Sequence, residues 1–161
     1  MLEVWPLLEA DVPWAVELQR DSWGDMAVAR RGELVDPSGL PGFVAFLDGE
    51  RAGLATYAVR GDSCEVVTIR SLQEGCGVGR ALLDAVRAAA AESGCRRLWL
   101  ITTNDNTRAL DVYQRWGMEI VAFYHDAVAL SRQVKPSIPE LGRSGIPMEH
   151  EFELELRLDG P

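Results

Sequence analysis

Apolar and polar positions along the chain change from a strand-like to a helix-like period near residue 75. Before that point the apolar positions come in short runs, separated by turn residues such as Asp48-Gly49. Short runs bounded by Asp-Gly turns predict antiparallel strands joined by hairpins. The first predicted strand contains Pro6, which confines it to a sheet edge. The predicted strands cover residues 2–8, 43–47, 52–59 and 64–71.

The pattern is less regular between the first two predicted strands. Asp11 is placed to cap a helix that carries Pro13 in its first turn. Residues 21–41 have no clear period, and we interpret them as a long connection that includes a short helix. The pattern in the N-terminal quarter of the chain therefore predicts a strand, a helix and a loop-rich connection.

The helical period begins at Val78 and continues through Leu82 and Val86, and Gly94 is placed to end that helix. An uninterrupted apolar run follows at residues 98–101, as expected for a strand that is buried on both faces. A strand, a helix and a buried strand in this order predict a parallel pair joined by a right-handed crossover.

The C-terminal part continues with a second helix, which Asp105 or Asn106 is placed to cap. A strand is predicted over residues 119–124. Residues 128–148 contain several prolines and glycines, which predicts an irregular segment with a function or an interaction surface. The chain ends in strict alternation, which predicts a strand whose buried face carries Phe152, Leu154, Leu156 and Leu158.

Composition limits the classes of protein to which the chain can belong. Its 161 residues are 47% hydrophobic and 25% charged, which predicts one globular domain over residues 1–161. The formal net charge of −9 disfavours binding to nucleic acid or to an anionic membrane. A cationic small molecule or a basic peptide suits such a surface better.

The cysteines and the apolar runs bear on the environment of the protein. Cys64, Cys76 and Cys95 form no CxxC pair, which disfavours a disulfide framework and a tetrahedral metal site. The chain has no apolar run of membrane-spanning length and no signal-peptide pattern. We therefore expect a soluble, cytoplasmic protein.

A glycine-rich turn from Glu74 to Arg80 joins a predicted strand to a predicted helix. It lies within residues 61–125, which contain 7 arginines and 8 acidic side chains and so are nearly neutral. Because the rest of the chain is more acidic, an anionic ligand is best accommodated in this part. The unpaired N–H groups at the start of the helix favour a phosphate. The spacing excludes a dinucleotide-binding pattern, because residue 80 is Arg rather than Gly. It also excludes a nucleoside-triphosphate loop, because the only lysine is Lys135.

A second motif follows the buried strand, with Asn106, Ala109 and Tyr113 on one predicted helix. The glycine turn and this helix together resemble the pyrophosphate-binding loop and the asparagine–alanine–tyrosine helix of the GNAT superfamily of N-acetyltransferases. The resemblance covers about residues 64–125. It implies an α/β (α+β) architecture, the single-domain acyl-CoA N-acyltransferase fold. In this fold a mixed, mostly antiparallel twisted sheet has a central splayed pair of parallel strands and is flanked by helices.

The resemblance implies an acetyl-CoA-dependent N-acetyltransferase whose acceptor is a primary amine on a cationic small molecule or peptide. The strand end is implied to hydrogen-bond the pantetheine, and the turn to hold the diphosphate. Glu74 departs from the family pattern, which usually has Gln or Arg there. Either the backbone amides and Arg80 carry the binding, or the affinity for the cofactor is lower than usual. The implied cofactor-binding residues are Ile69, Arg70, Ser71, Glu74, Gly75, Cys76, Gly77, Val78, Gly79, Arg80, Asn106 and Ala109.

Two residues are implied to be catalytic. A lysine-like amine has a pKa of about 10.4 and must lose a proton before it attacks a thioester. Glu65 is the implied base. The alternative is that Glu65 is a solvent-facing strand carboxylate and that a water chain takes the proton. Tyr113 is implied to protonate the departing thiolate, with core packing as its alternative role. No metal site is expected, and His125 and His150 are expected to end strands.

Several alternatives stay open. A non-catalytic acyl-CoA-binding module and a nucleotide-binding protein compete with the enzyme. Residues 128–148 are the segment that we expect to join protomers if the protein is a homodimer. In proteins similar to this one, the connection that holds Trp23, Arg30 and Arg31 borders the acceptor. Four acidic residues are expected to form mainly a solvated strand face, with a position in the acceptor cleft as the alternative: Glu149, Glu151, Glu153 and Glu155.

Overall fold

The computed structural model describes residues 1–23 and 27–158, and the side chains of Ser22 and Trp23 lie outside this description. The strands are β1 (Leu2–Pro6), β2 (Val28–Arg30), β3 (Glu33–Val35), β4 (Gly42–Leu47), β5 (Glu50–Arg60), β6 (Ser63–Ser71), β7 (Arg97–Thr103), β8 (Glu119–Tyr124) and β9 (Glu151–Arg157). The helices are α1 (Val12–Trp23), α2 (Val78–Glu92), α3 (Thr107–Trp116) and α4 (Ala127–Val134), with short 3₁₀ turns at Glu9–Asp11 and Arg143–Gly145.

Seven strands form one mixed sheet in the order β1-β4-β5-β6-β7-β9-β8, and β2 and β3 form a separate hairpin. In the described part of the chain every pair in the large sheet is antiparallel except β6–β7. The helix α2 connects these two parallel strands. The fold expected from the sequence, a mostly antiparallel sheet with a central parallel pair, is thereby confirmed.

The parallel pair separates along its length. Its strands are paired only from Ser63↔Arg97 to Glu65↔Trp99. Both strands continue beyond this point, β6 to Ser71 and β7 to Thr103. A gap therefore opens in the middle of the sheet, in the direction of the glycine turn that follows β6.

The two faces of the sheet are covered differently. On one face the apolar stripe of α2 packs into the main core, where Val78, Leu82 and Val86 are fully buried. On the other face Ala15 of α1 packs with Val44 and Leu54 in a smaller core. The β2–β3 hairpin contacts α4, and hydrogen bonds from both elements reach β9. This second face contains the hydrogen-bond network described below.

Two connections differ from the predictions. Between residues 27 and 41 the connection holds the β2–β3 hairpin rather than a short helix, and the turn of this hairpin uses Arg31 and Gly32 with φ of 50° and 74°. The segment from 128 to 148 begins within the regular helix α4. Its prolines all lie beyond Lys135, so they break only the second half of the segment.

Smaller predictions also change. Asp11 does not cap α1, because it lies at the end of the preceding 3₁₀ turn, where its Oδ2 accepts the Leu8 N–H at 3.0 Å. The strand β7 is buried at alternate positions rather than on both faces. Its less buried side carries Trp99 and Ile101, which line cavities rather than packed core. No helix in the described part of the chain has both the length and the apolar character to cross a lipid bilayer.

Candidate active site

A cavity of about 540 Å³ lies where β6 and β7 separate. Residues 66–69 of β6 and 100–103 of β7 line it, together with Asn106 and Tyr113 from the start and the middle of α3. In the described part of the chain no strand pairs with the facing edges of β6 and β7 beyond Glu65 and Trp99. An extended ligand can therefore hydrogen-bond these edges as an added strand would.

Tyr113 reaches the cavity from the buried side of α3. Its neighbours Ala109, Leu110 and Trp116 pack against the main core, which fixes the orientation of the helix. The Tyr113 side chain is only 7% exposed, and burial raises the pKa of its phenol above the ordinary value. The hydroxyl makes no hydrogen bond within residues 1–23 and 27–158, so it is available to a ligand in the cavity.

The glycine turn lies at the end of β6 and is exposed. Gly75 and Gly77 have φ of 78° and 79°, a left-handed conformation that side chains disfavour. A Cβ at Gly75 or Gly79 would meet no atom within 4 Å, so neither glycine is required by packing. The Ala81 N–H donates to the Gly77 carbonyl at 3.0 Å, and the preceding N–H groups of α2 have no acceptor within the helix. The turn thus presents unpaired donors to solvent.

Glu74, the departure from the family pattern, is paired with two arginines. Its Oε1 lies 3.3 Å from Nε of Arg108 on α3 and 3.6 Å from Nη1 of Arg143 in the C-terminal segment. The carboxylate therefore brings two cations to the rim of the glycine turn. Both pairs are exposed, so each contributes little to stability.

The other residues implied to bind a cofactor lie around the same gap. Ile69 lines the cavity, and Arg70 and Ser71 follow it at the end of β6. The Ser71 hydroxyl donates to the Gln73 carbonyl at 3.0 Å and so stabilises the start of the turn. Ala109 lies one helical turn before Tyr113 and packs against the core.

The prediction that Asp105 or Asn106 caps α3 is confirmed for the position of Asn106, but not for a capping hydrogen bond from its side chain. Asn106 occupies the N-cap position, but its side chain makes no capping hydrogen bond and its Nδ2 donates to Thr102 Oγ1 at 3.0 Å. The Asp105 carboxylate accepts the Arg143 N–H at 3.0 Å and a hydrogen bond from Thr103 Oγ1. Both side chains therefore tie the end of β7 to its surroundings, and both line the cavity.

Glu65 is buried, and both of its carboxylate oxygens are hydrogen-bonded. Its two carboxylate oxygens accept hydrogen bonds from Nε and Nη2 of Arg30 on β2, at 2.7 and 2.9 Å. It does not line the large cavity that Tyr113 lines. It borders a second cavity of about 370 Å³, whose walls also carry Arg31, Arg97 and Glu153.

The acidic face of β9 is not solvated as expected, because the side chains of Glu153 and Glu155 are only 13% and 16% exposed and both pair with Arg97. Glu151 is 1% exposed and lines the large cavity. Its Oε1 accepts the Arg31 N–H at 2.7 Å, and its Oε2 accepts a hydrogen bond from Ser131 Oγ at 2.8 Å. The sequence names Glu151 only together with the other acidic residues of this segment, because alternation places Glu151, Glu153 and Glu155 on one face and does not indicate which elements cover that face.

The described residues contain one group of three potential metal ligands, His125, Asp126 and His150, whose ligand atoms lie within 4.8 Å of one another. The Asp126 N–H donates to His150 Nδ1 at 2.9 Å, which occupies the lone pair that a metal would need. The group lies outside the lining of both cavities. The expectation that the protein has no metal site stays a prediction.

Solved structures with the same fold are acetyltransferases. The IAA acetyltransferase from Bacillus cereus superposes with a TM-score of 0.72 at 19% identity, over 98% of this chain and 100% of that chain. A GNAT family acetyltransferase from Elizabethkingia anophelis with acetyl-CoA bound gives 0.69 at 18% identity, over 98% of each chain. The chain therefore has the same fold as these acetyltransferases.

The sequence comparisons identify the family. Residues 3–118 match the Acetyltransferase (GNAT) family. The uncharacterized protein YdhI of Bacillus subtilis is 38% identical over 131 residues, which are 81% of this chain and 82% of YdhI. The chain belongs to the GNAT family and is an acetyl-CoA-dependent acetyltransferase.

Proposed function

We propose that the protein transfers the acetyl group of acetyl-CoA to a primary amine by direct attack of the amine on the thioester. The proposal rests on one observation, namely that two features which suit acyl-CoA lie next to each other at the end of β6. The gap between β6 and β7 contains the buried phenol of Tyr113, and the exposed glycine turn lies at the end of β6. Each feature alone has a structural explanation, but their alignment fits an elongated acyl carrier.

The residues present fit acyl-CoA. The free edges of β6 and β7, which include Ile69, suit the amides of an extended pantetheine arm. The N–H groups from Gly75 to Arg80 and the start of α2 suit a diphosphate, and no Cβ contact fills the space at Gly75 or Gly79. Arg108 and Arg143 add positive charge at the rim. When bound, acetyl-CoA supplies the activated acyl group.

Tyr113 is proposed as the proton donor. Its pKa is raised by burial, so the phenol stays protonated throughout the neutral and mildly alkaline range. A thiolate that leaves the acetyl group needs a proton, and a phenol beside it can donate one. The absence of a hydrogen-bond partner for the hydroxyl in the described part of the chain agrees with this role.

The proton that leaves the amine needs an acceptor. Glu65, the base implied by resemblance, stays a prediction, and its contacts favour a different role. Both of its oxygens accept hydrogen bonds from Arg30, and it borders the second cavity rather than the one that Tyr113 lines. Deprotonation through water in the large cavity needs no change in this ion pair.

A turnover screen tests the proposal. Purified protein and acetyl-CoA are incubated with aliphatic amines, polyamines, amino-acid amides and short peptides, and the acetylated products are measured by mass spectrometry. We expect an N-acetyl product from at least one cationic class. Binding of CoA without acetylation of any of these amines contradicts the proposal and supports the non-catalytic acyl-CoA-binding module.

A further inference from the structure

We infer that Glu151 binds the ammonium group of the acceptor inside the large cavity, and that the acceptor is an aliphatic primary amine. The inference rests on the proposed function, since it assigns the cavity beside Tyr113 to the acceptor. Glu151 is 1% exposed and lies at the start of β9, where the β2–β3 hairpin and α4 both cover it.

The contacts of Glu151 leave its charge uncompensated. Its two hydrogen bonds come from neutral donors, the backbone N–H of Arg31 and the hydroxyl of Ser131. Within residues 1–23 and 27–158 no cationic side chain is in ion-pair contact with it. A buried carboxylate of this kind is costly unless an opposite charge comes close. A cationic ligand in the adjoining cavity supplies that charge.

The buried carboxylates of the described chain differ in ion pairing according to whether they line the large cavity. Asp11 is paired with Arg51 and Glu65 with Arg30, and neither lines the large cavity. Asp105 and Glu151 have no ion pair among the described residues, and both line it. The two buried carboxylates that have no ion pair among the described residues therefore both line the cavity that also holds Tyr113.

Glu151 is a better ammonium site than Asp105. Asp105 lies at the start of α3, where the helix dipole already favours a negative charge, and it accepts the Arg143 N–H. Among the described residues, Glu151 accepts no hydrogen bond from the N-terminal N–H groups of a helix, since its donors are the Arg31 N–H and the Ser131 hydroxyl. Lys135 also lines the cavity, where its Nζ donates to the Ala27 carbonyl at 2.7 Å.

The walls around Glu151 define the rest of the acceptor. Apolar side chains from β2, α4 and the C-terminal segment line the same cavity as the carboxylate, and they suit a hydrocarbon chain. A ligand with one ammonium group on an aliphatic chain satisfies both requirements. The apolar residues concerned are Val28, Ala29, Val128, Ile138 and Met148.

Binding to the CoA-saturated protein tests the inference. The probes are hexylammonium and its neutral counterpart 1-hexanol, and the variants are Glu151→Gln and the control Glu153→Gln. Glu153 lies on the same face but is paired with Arg97 and borders the other cavity. We expect Glu151→Gln to weaken hexylammonium binding at least tenfold, with 1-hexanol unaffected and the control like the wild type. If Glu151→Gln weakens the binding of both probes equally, or weakens the binding of neither, the inference is overturned.

A measurement on the wild type covers the case in which Glu151→Gln does not fold. The Arg31 N–H donates directly to Glu151, so its amide resonance reports on this carboxylate. We expect the Arg31 amide to shift on addition of hexylammonium and not of 1-hexanol. The same response to both probes, or none, counts against an ammonium site at Glu151.

Turnover separates this inference from the proposed function. If the wild type acetylates hexylamine and Glu151→Gln leaves its KM unchanged, the inference fails and the proposed function stands. If hexylammonium binds in a Glu151-dependent manner but no amine is acetylated, the proposed function fails and the cation site stands. We expect a raised KM for the amine in Glu151→Gln, with the affinity for CoA unchanged.

Discussion

Arg30 donates hydrogen bonds from Nε and Nη2 to both carboxylate oxygens of Glu65, at 2.7 and 2.9 Å, and both side chains are buried. The guanidinium also lies 5.5 Å from the ring centroid of Trp99. Glu65 and Trp99 form the last residue pair before β6 and β7 separate. The ion pair therefore fixes the β2–β3 hairpin to the sheet at the point where the gap begins.

Breaking this ion pair should destabilise the fold. Among the described residues, Glu65→Ala leaves the buried Arg30 guanidinium paired only with the exposed Glu33. We expect a loss of about 3–5 kcal/mol in the free energy of unfolding, measured by urea denaturation. Replacing both residues by methionine should recover most of the loss. A change below about 1 kcal/mol in Glu65→Ala would mean that the pair is unimportant for stability.

The kinetic role of Glu65 can be examined separately with Glu65→Gln, provided that the variant is assayed below its unfolding temperature. We expect the acid limb of the pH profile of kcat to stay where it is in the wild type, because Arg30 occupies both oxygens of Glu65. The profile is recorded with a saturating amine. Loss of that limb in a folded Glu65→Gln protein would instead establish Glu65 as the base that the resemblance implies.

Removing the phenol of Tyr113 should impair chemistry without impairing binding. We expect Tyr113→Phe to lower kcat by about 10²–10⁴-fold, the usual contribution of a general acid. The dissociation constant of CoA, measured by calorimetry, should stay the same. Because burial raises the pKa of Tyr113, the wild type should keep its donor protonated, and kcat should not fall between pH 8 and about 10 on this account. An unchanged kcat in Tyr113→Phe refutes the role.

Cys76 offers a test of the proposed diphosphate site that needs no turnover. It is exposed in the glycine turn, whereas Cys64 and Cys95 are buried, and burial raises the pKa of Cys64 to about 12. Iodoacetamide should therefore alkylate Cys76 alone in the native protein, as mass spectrometry can establish. Desulfo-CoA, which has no thiol, should protect Cys76. Protection by ATP with none by desulfo-CoA would favour a nucleotide-binding protein.

Neutralising Glu74 should strengthen the binding of CoA. Glu74→Gln removes a negative charge beside the proposed diphosphate site and releases Arg108 and Arg143. We expect the dissociation constant to fall by about two- to fivefold at low salt, as is usual for exposed charges. The difference should vanish in 0.5 M NaCl, where the Debye length is a few ångströms. Glu92→Gln, at the opposite end of α2, is the matched control, and weaker binding in Glu74→Gln contradicts the expectation.

Most of the sheet is predictable from the sequence because its strands are long enough to show a period. Asp48-Gly49 and the turn at Gly61 delimit β4, β5 and β6, and the alternating acids and leucines delimit β9. The β2–β3 hairpin is not predictable in this way. Each of its strands has only three residues, which is too short for alternation to be recognised.

The glycine turn and the helix of Tyr113 could be found because their signals are local in sequence. The environment of Glu151 could not, because its donors lie 120 and 20 residues away in the chain. The arginine partners of Glu74 are similarly remote. Local pattern specifies which residues share a face, whereas the elements that cover a face depend on tertiary packing.

The early end of the pairing between β6 and β7 also affects how the protein opens. The two parts of the sheet share only the pairs Ser63↔Arg97, Cys64↔Leu98 and Glu65↔Trp99. Amide protons along the inner edges beyond these pairs should exchange rapidly with solvent deuterium in the free protein. An acyl carrier that hydrogen-bonds both edges would slow that exchange and raise the melting temperature, so that the substrate itself completes the sheet.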